Sequence, residues 1–386
     1  MNVLEQQLGY PLGDTLPAPG EAIAVAPGVR WLRMALPFAL DHINLWLLRD
    51  AIDGANGPVQ GWTLVDCGID NPPTRAAWEQ IFANHLDGLP VLRLIVTHMH
   101  PDHIGLAHWL AERWDVRMWI SATDYNAARL ATASTIGFGG PAAAAFMASH
   151  GLADPDALAQ VSQRTNYYAG LVPKLPAHYR RLQDGATLSI GGRAWTCHAG
   201  YGHAPEHMAL HCAELDGGAP EAPAAPAPRG GAPELGAARH SGVLISGDMV
   251  LPRISTNVSV HEVEPEGDPL TLYLASIQRL KDLPAGTLVL PSHGRPFTGL
   301  HTRIDQLSSH HDERFADVMA QCAQAPQHAA GLLQVLFRRK LDLHQTTFAM
   351  GESIAHLHAL WLAGRLARRF GEDGIYRFAA DATPGM

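Results

Sequence analysis

Between Val91 and Leu110 the chain reads VLRLIVTHMHPDHIGLAHWL. The run VLRLIV is continuously apolar, as in a strand buried on both faces, and IGLAHWLAERW behind it carries apolar residues at helical spacing. Between the two lie His98, His100, Asp102 and His103. A strand ending at His98 delivers its side chains into the opening beyond the carboxyl edge of the sheet, where layered sheets place their sites. His98 and His100 are two apart and project to the same side of an extended chain. Asp102 and His103 follow in the turn and face a second point close by. Imidazole nitrogen and carboxylate oxygen are both zinc ligands, so this spacing suits two neighbouring metal ions better than one.

The surrounding sequence builds sheets around that junction. AIAVAPGVRWLRMAL, HINLWLLRD and GWTLVDCG read as strands ended by Gly, Pro or Asp. PPTRAAWEQIFANHL reads as a helix with proline in its first turn, and VRMWIS as another strand. From Ser121 to Leu182 the pattern is mostly helical and loop-like, with GFGGPAAAAF as a small-residue break. Strands return in ATLSIGGRAWTCHAG, whose IGGR is a hairpin turn, then in HMALHCAEL, GVLISGDMVLP and GTLVLPSHG. PLTLYLASIQRLKDL is an amphipathic helix. The stretch from Asp216 to Gly242, dense in Ala, Pro and Gly, reads as a flexible insert between two strands. After Gly299 three helical segments, including PQHAAGLLQVLFRRKL, lead to a hairpin in ARRFGEDGIYRF. The expected division is therefore a large sheet-bearing domain over 1–300 and a small helical, winged-helix-like domain over 301–386.

Composition narrows the function. The chain has 386 residues, 47% hydrophobic and 17% charged, enough for a sizeable core. Its net charge is −9, and residues 301–386 carry nine Arg/Lys against nine Asp/Glu, so nucleic acid is not the expected partner. The four cysteines are scattered, which suggests neither a disulfide framework nor a cysteine zinc knuckle. No leader pattern and no run approaching 18 apolar residues is present, so the expectation is a cytoplasmic protein without a membrane partner.

Three more strand ends carry candidate ligands: His203 in AGYGHAPEH, Asp248 in LISGDMVLP and His293 in LVLPSHGRP. The order H-x-H-x-D-H, G-H, G-D, S-H-G resembles the metallo-β-lactamase superfamily over about residues 20–300. That resemblance implies an α+β, four-layer αββα fold. It also implies two divalent ions, zinc by expectation with iron or manganese as alternatives. His98, His100 and His203 would hold the first ion, Asp102, His103 and His293 the second, and Asp248 would bridge them. Asp66 in LVDCG matches a family aspartate that supports the site from below.

The implied chemistry is hydrolysis by a metal-bridging hydroxide, with Asp102 and Asp248 taking part directly. The complete two-metal set looks like that of hydroxyacylglutathione hydrolases and their relatives, which makes a small acyl thioester, ester or lactone the expected substrate. The alternatives are a lactamase-like endoribonuclease, a β-lactamase and a non-catalytic metal-binding scaffold. Tyr201, Arg253 and Asn257 flank the ligands and are candidate substrate contacts. His207 reads as an ordinary surface or core histidine, and His108 should point away from the metals.

Overall fold

Strict alternation along the later strands sorts the chain into layers. Met208, Leu210, Val243, Ile245, Leu288 and Leu290 join one buried cluster, while their immediate neighbours Ala209, Leu244 and Val289 join another. Successive side chains in a strand point to opposite faces, so each of these strands is covered on both sides. The structure, a computed structural model, describes residues 3–38, 40–133, 139–215, 240–337 and 339–380. Residues 216–239, nearly all of the Ala/Pro/Gly insert, lie outside the described residues.

The first sheet contains β1 (Ala22–Ala26), β2 (Val29–Ala35), β3 (His42–Gly54), β4 (Gly57–Val65), β5 (Val91–Ile95), β6 (Met118–Ser121) and β7 (Tyr179–Leu182), in that order. It is antiparallel through β4 and parallel from there on. The second sheet contains β8 (Thr187–Ile190), β9 (Arg193–Gly200), β10 (His207–Cys212), β11 (Val243–Gly247) and β12 (Leu288–Pro291), hydrogen-bonded in the same sequence. Only its β11–β12 pair is parallel.

Trp31, Trp46, Val65 and Ile95 of the first sheet meet Cys197, Met208 and Ile245 of the second in the inter-sheet core. The opposite face of the first sheet, with Leu32, Leu45 and Leu64, is closed by helices α1 (Pro72–Asn84), α2 (Pro101–Ile104), α3 (Ala107–Trp114) and α4 (Ala122–Ala133). Three further helices, α5 (Gly140–Ser149), α6 (Pro155–Gln163) and α7 (Tyr167–Leu171), precede β7. The opposite face of the second sheet is closed by α8 (Pro269–Arg279), α9 (Leu300–Gln324), α10 (Leu333–Leu336) and α11 (Leu343–Leu362). The result is the expected αββα layering.

Three local readings change. GFGGPAAAAF is no break: from Gly140 it is helix α5, because Pro141 suits the first turn and four alanines are the best helix formers. The segment from Ser121 to Leu182 also contains a strand, β7, whose YRRL lacks an apolar signature because it is an edge; Arg180 lies over the Trp119 ring at 4.6 Å. PQHAAGLLQVLFRRKL forms no full helix. Gln327 pairs with Phe378 of the terminal hairpin, β13 (Leu366–Phe370) and β14 (Tyr376–Ala380), and that pairing leaves only a 3-10 turn, Ala329–Leu332, and the single turn of α10. The helices after residue 300 bury Ile304, Leu307, Ile354 and Leu357 in the same cluster as Ala209, Leu244 and Val289. None of the helices among the described residues is long and apolar enough to cross a membrane.

Candidate metal centre

All the candidate ligands lie just past strand ends along one edge of the sandwich: His98, His100, Asp102 and His103 after β5, His203 after β9, Asp248 after β11 and His293 after β12. The two sheets are tied there by the Met208 N–H donating to the Thr97 carbonyl at 2.8 Å and the Asn44 N–H to the Ser292 carbonyl at 2.7 Å. Strands remote in sequence thus bring seven side chains to one place.

These side chains fall into two groups whose potential ligand atoms lie within 4.8 Å of one another: His98, His100, His203 and Asp248 in one, and Asp102, His103 and His293 in the other. In the first group His98 Nε2, His100 Nδ1 and His203 Nε2 stand 2.9, 3.1 and 3.2 Å apart. Two nitrogens about 2.05 Å from one tetrahedral ion would be about 3.3 Å apart, so the triangle has the size a single cation needs. In the second group His293 Nε2 is 3.4 Å from a carboxylate oxygen of Asp102 and 3.4 Å from Asp248 Oδ1, and His103 Nε2 is 3.5 Å from Asp248 Oδ1. The other Asp248 oxygen, Oδ2, is 3.3 Å from His203 Nε2 in the first group. One carboxylate therefore turns one oxygen to each group.

The outward-facing nitrogens settle which way the lone pairs point. His203 Nδ1–H donates to the Asn257 carbonyl (2.7 Å), His293 Nδ1–H to the His42 carbonyl (2.7 Å) and His103 Nδ1–H to Asp66 Oδ2 (2.8 Å). The Thr97 hydroxyl donates to Asp66 Oδ2 (2.9 Å), which leaves its oxygen to accept from His98 Nδ1–H (3.0 Å). With its outer proton fixed in this way, each of these rings has its inner nitrogen facing the centre, free to ligate once it holds no second proton. His103 Nε2 and Asp248 Oδ1 are buried without a hydrogen-bond partner. Buried lone pairs converging in this way are unfavourable unless a cation lies among them.

The electrostatics favour neutral rings in the first group and positive charge among the carboxylates of the second, where burial opposes charge on His293 but Asp248 and Asp102 raise its pKa. Burial first, then the neighbouring imidazoles, push His98 and His100 well below the ordinary imidazole range, so they are neutral donors. Burial opposes charge on His103 too, but Asp102, Asp66 and Asp248 outweigh it and raise its pKa well above that range. Burial would raise the Asp248 carboxyl, yet His293 and His103 hold it well below the usual carboxylate range. The residues fit a pair of divalent ions.

Asp66 is the base of this arrangement. It takes φ of +64°, an uncommon conformation for a residue with a side chain, and its Oδ1 accepts the Thr97 N–H at 2.7 Å. Other supports are not visible as motifs. His207, an ordinary histidine by its sequence context, is fully buried and accepts the Asp248 N–H at its Nε2 (3.2 Å). Burial lowers its pKa to about 3, so it is neutral and its proton sits on Nδ1. A Cβ on Gly247, where φ is +53°, would stand 2.0 Å from that nitrogen, which explains glycine before the aspartate. Asp124 is buried at the start of α4 and accepts the Met99 N–H (2.8 Å) and the Glu206 N–H (2.6 Å), joining the first histidine loop to the His203 loop. Period-two placement of His207 at the head of β10 is the one available signal; Asp124, in SATDYNAA, leaves none.

The ligands open into a cavity of about 360 Å³ that also touches Asn257. Tyr201 and Arg253 are placed elsewhere. Tyr201 packs against the inter-sheet core with its N–H bonded to Ser276 Oγ (3.0 Å), and Arg253 is exposed on the turn after β11; neither lines the cavity. His108 points away, 3.8 Å from Asp70.

Known proteins resemble this chain in sequence and in fold. Residues 42–217 match the family model described as metallo-beta-lactamase superfamily, and residues 315–381 match that of the metallo-beta-lactamase-like C-terminal domain. A beta-lactamase domain protein from Burkholderia ambifaria is 52% identical, with 98% of this chain and 100% of that one covered and a TM-score of 0.86. A metallo-beta-lactamase family protein from Thermus thermophilus is 26% identical over 92% of this chain and 100% of that one, with a TM-score of 0.68. The probable metallo-hydrolase YqjP of Bacillus subtilis (strain 168) is 23% identical over 335 residues, 85% of this chain and 91% of that protein.

Proposed function

The chain belongs to the metallo-β-lactamase superfamily, and from that premise we propose that it is a dinuclear, zinc-dependent hydrolase of a small acyl thioester, ester or lactone. That it is a metallohydrolase follows from the family and the His/Asp cluster together. The observation that supports two ions is the Asp248 carboxylate, with Oδ2 toward His203 and Oδ1 toward His103 and His293.

Two divalent ions bound there supply Lewis-acid polarisation of the scissile carbonyl and a water acidic enough to be nucleophilic at neutral pH. The protein's own residues do the rest. His98, His100 and His203 offer three imidazole nitrogens, and Asp102 and Asp248 add the negative charge that offsets the ions. Asp66, His42 and Asn257 hold the protons of three imidazoles on their outer nitrogens. The ligands sit at the wall of a mostly apolar cavity, where electrostatic interactions with the developing oxyanion are stronger than in water. Of the three candidate substrate contacts, Asn257 is the one that lines the cavity. Arg164 is the only Lys or Arg among the cavity's described lining residues, which suits an acyl group better than a polyphosphate backbone.

The test is metal analysis of the purified protein with a substrate panel of acyl thioesters, lactones, a cephalosporin and single-stranded RNA. About two equivalents of metal and turnover of the acyl substrates are expected. Asp248→Asn should abolish turnover, and retained activity in that variant rules out the bridging role.

A further inference from the structure

The cavity that contains the cluster extends well past it. Away from the ligands its walls are mostly apolar, with Ala143 and Phe146 of α5, Val161 of α6, Leu171 of α7, and Val260 and Ile354 beside or on α11, interrupted by Arg164, His261, Glu262 and His344. Small groups such as acetyl or lactoyl would leave this space unfilled. We infer that it is an acyl-chain channel, and that the substrate is an ester or thioester of an uncharged acyl chain of roughly 6 to 12 carbons. This rests on the hydrolase reading of the same site and adds its substrate class.

Three observations carry the assignment. The first is volume: at about 30 Å³ for each water-sized group, the 360 Å³ cavity holds roughly a dozen such groups. The second is the distribution of polarity. The ionisable ligands His100, Asp102, His203, Asp248 and His293 crowd together, whereas α5 contributes only Ala143, Phe146 and Met147 to the lining. The third is the rim, where His344 stacks on Phe38 (centroids 6.1 Å, 17°) and meets the exposed Phe348 (5.0 Å) and Tyr167 (6.0 Å). A molecule with one reactive polar end and an apolar chain satisfies all three. Because the channel is continuous with the cluster, its occupant must present a reacting bond there, which favours a substrate arm over a docked protein segment.

The closed side of the channel comes from α11, after residue 300. Its backbone approaches the 256–260 segment so closely that a Cβ on Gly351 would fall 2.6 Å from Ser259 Cβ, and the Val260 N–H donates to the Gly351 carbonyl at 3.2 Å. The C-terminal region thus supplies one wall of the channel.

The experiment uses the metal-loaded full chain. Initial rates are measured for p-nitrophenyl esters and for acyl thioesters from two to sixteen carbons, and calorimetry compares binding of decanoate and acetate. Both substrate series should show kcat/KM rising by roughly threefold to fourfold per methylene up to the channel's length, then falling. Decanoate should bind far more tightly than acetate. Ala143→Phe should shift the preferred length downward and Phe146→Ala upward, each with wild-type metal content as proof of folding. If decanoate binds preferentially and Ala143→Phe removes that preference, but no ester or thioester is cleaved, the channel stands and the hydrolase reading falls. If esters are cleaved with a flat or falling length profile and the two acids bind alike, the channel is overturned and the hydrolase reading stands.

Discussion

Replacing Asp66 by Asn isolates the part of the centre that no ligand list contains. The change is isosteric, so it leaves no hole, but it exchanges one acceptor oxygen for an amide that only donates. In the native protein both oxygens are used: Oδ1 takes the Thr97 N–H at 2.7 Å, and Oδ2 takes the Thr97 hydroxyl at 2.9 Å and His103 Nδ1–H at 2.8 Å. With Oδ1 kept on the backbone N–H, the new amide faces Thr97 Oγ1 and His103 Nδ1. His103 must then move its proton to Nε2, the atom that faces Asp102 and Asp248. Thr97, now accepting from the amide, turns its own proton toward His98 Nδ1 and drives the same switch there.

Without metal the exchange costs little, because each displaced proton finds a carboxylate or imidazole nearby. With metal it removes one lone pair from each group of ligands. Loss of such an outer support typically lowers metal affinity by about 10- to 100-fold, or about 1.4 to 2.7 kcal/mol per ion. The assay is a competition titration of the metal-free protein against a zinc indicator, with calorimetric melting of the same metal-free sample. Weaker binding at both sites, with the melting temperature nearly unchanged, is expected. Affinity within about threefold of wild type would refute the tautomer reasoning. A melting loss as large as the binding loss would refute it equally, since Asp66 would then be supporting the fold and not the ligands.

Two other substitutions probe the supports. Gly247→Ala places a Cβ 2.0 Å from His207 Nε2 at φ +53°, so the left-handed backbone cost of about 1–2 kcal/mol adds to the broken bond from the Asp248 N–H. Denaturant titration should show a loss of about 3 kcal/mol together with reduced metal content; a loss under about 1 kcal/mol would mean that His207 moves aside freely. Asp124→Asn should change the pH dependence of the metal-free protein. Burial raises the Asp124 carboxyl from its ordinary 3.8 to about 6, so the folded state holds a proton that the unfolded state has released. Its contribution is full below pH about 4 and is lost as pH rises to about 6, worth roughly 2–3 kcal/mol. The stability difference between wild type and variant should move against the wild type over that window, and parallel curves would show that Asp124 does not titrate there.

The ligand set is legible in the sequence because each ligand follows a short apolar strand, and a strand end is a local feature. His98, His203, Asp248 and His293 each stand a few residues past one. The layers are legible for a similar reason: period-two alternation in β10 to β12 assigns each side chain a face without knowledge of its partner. What cannot be read depends on distant pairing. Whether PQHAAGLLQVLFRRKL continues as a helix is decided by Gln327 meeting Phe378, and whether Arg253 reaches the cavity is decided by which side of one turn is exposed. His207 reads as ordinary because its partner is a backbone N–H forty-one positions away.

The same division explains why the centre needs both sheets. His98, His100, Asp102 and His103 extend from the first sheet, while His203, Asp248 and His293 extend from the second. Each group of ligands therefore mixes the two sheets: His203 completes the first, His293 completes the second, and Asp248 reaches across to both. Neither sheet alone can hold even one ion with its full set, so an ion bound at either position cross-links the sandwich at its open edge. The hydrogen bonds from Met208 to Thr97 and from Asn44 to Ser292 span that same edge and fix the sheets' relative position before any ion arrives. Preorganisation by the backbone lets most of the binding energy go into coordination rather than into ordering the two sheets. A one-residue slip in the pairing of β9 or β11 with β10 would displace His203 or Asp248 from the centre, which is why the ligands are specified by strand ends and the register by the buried core behind them.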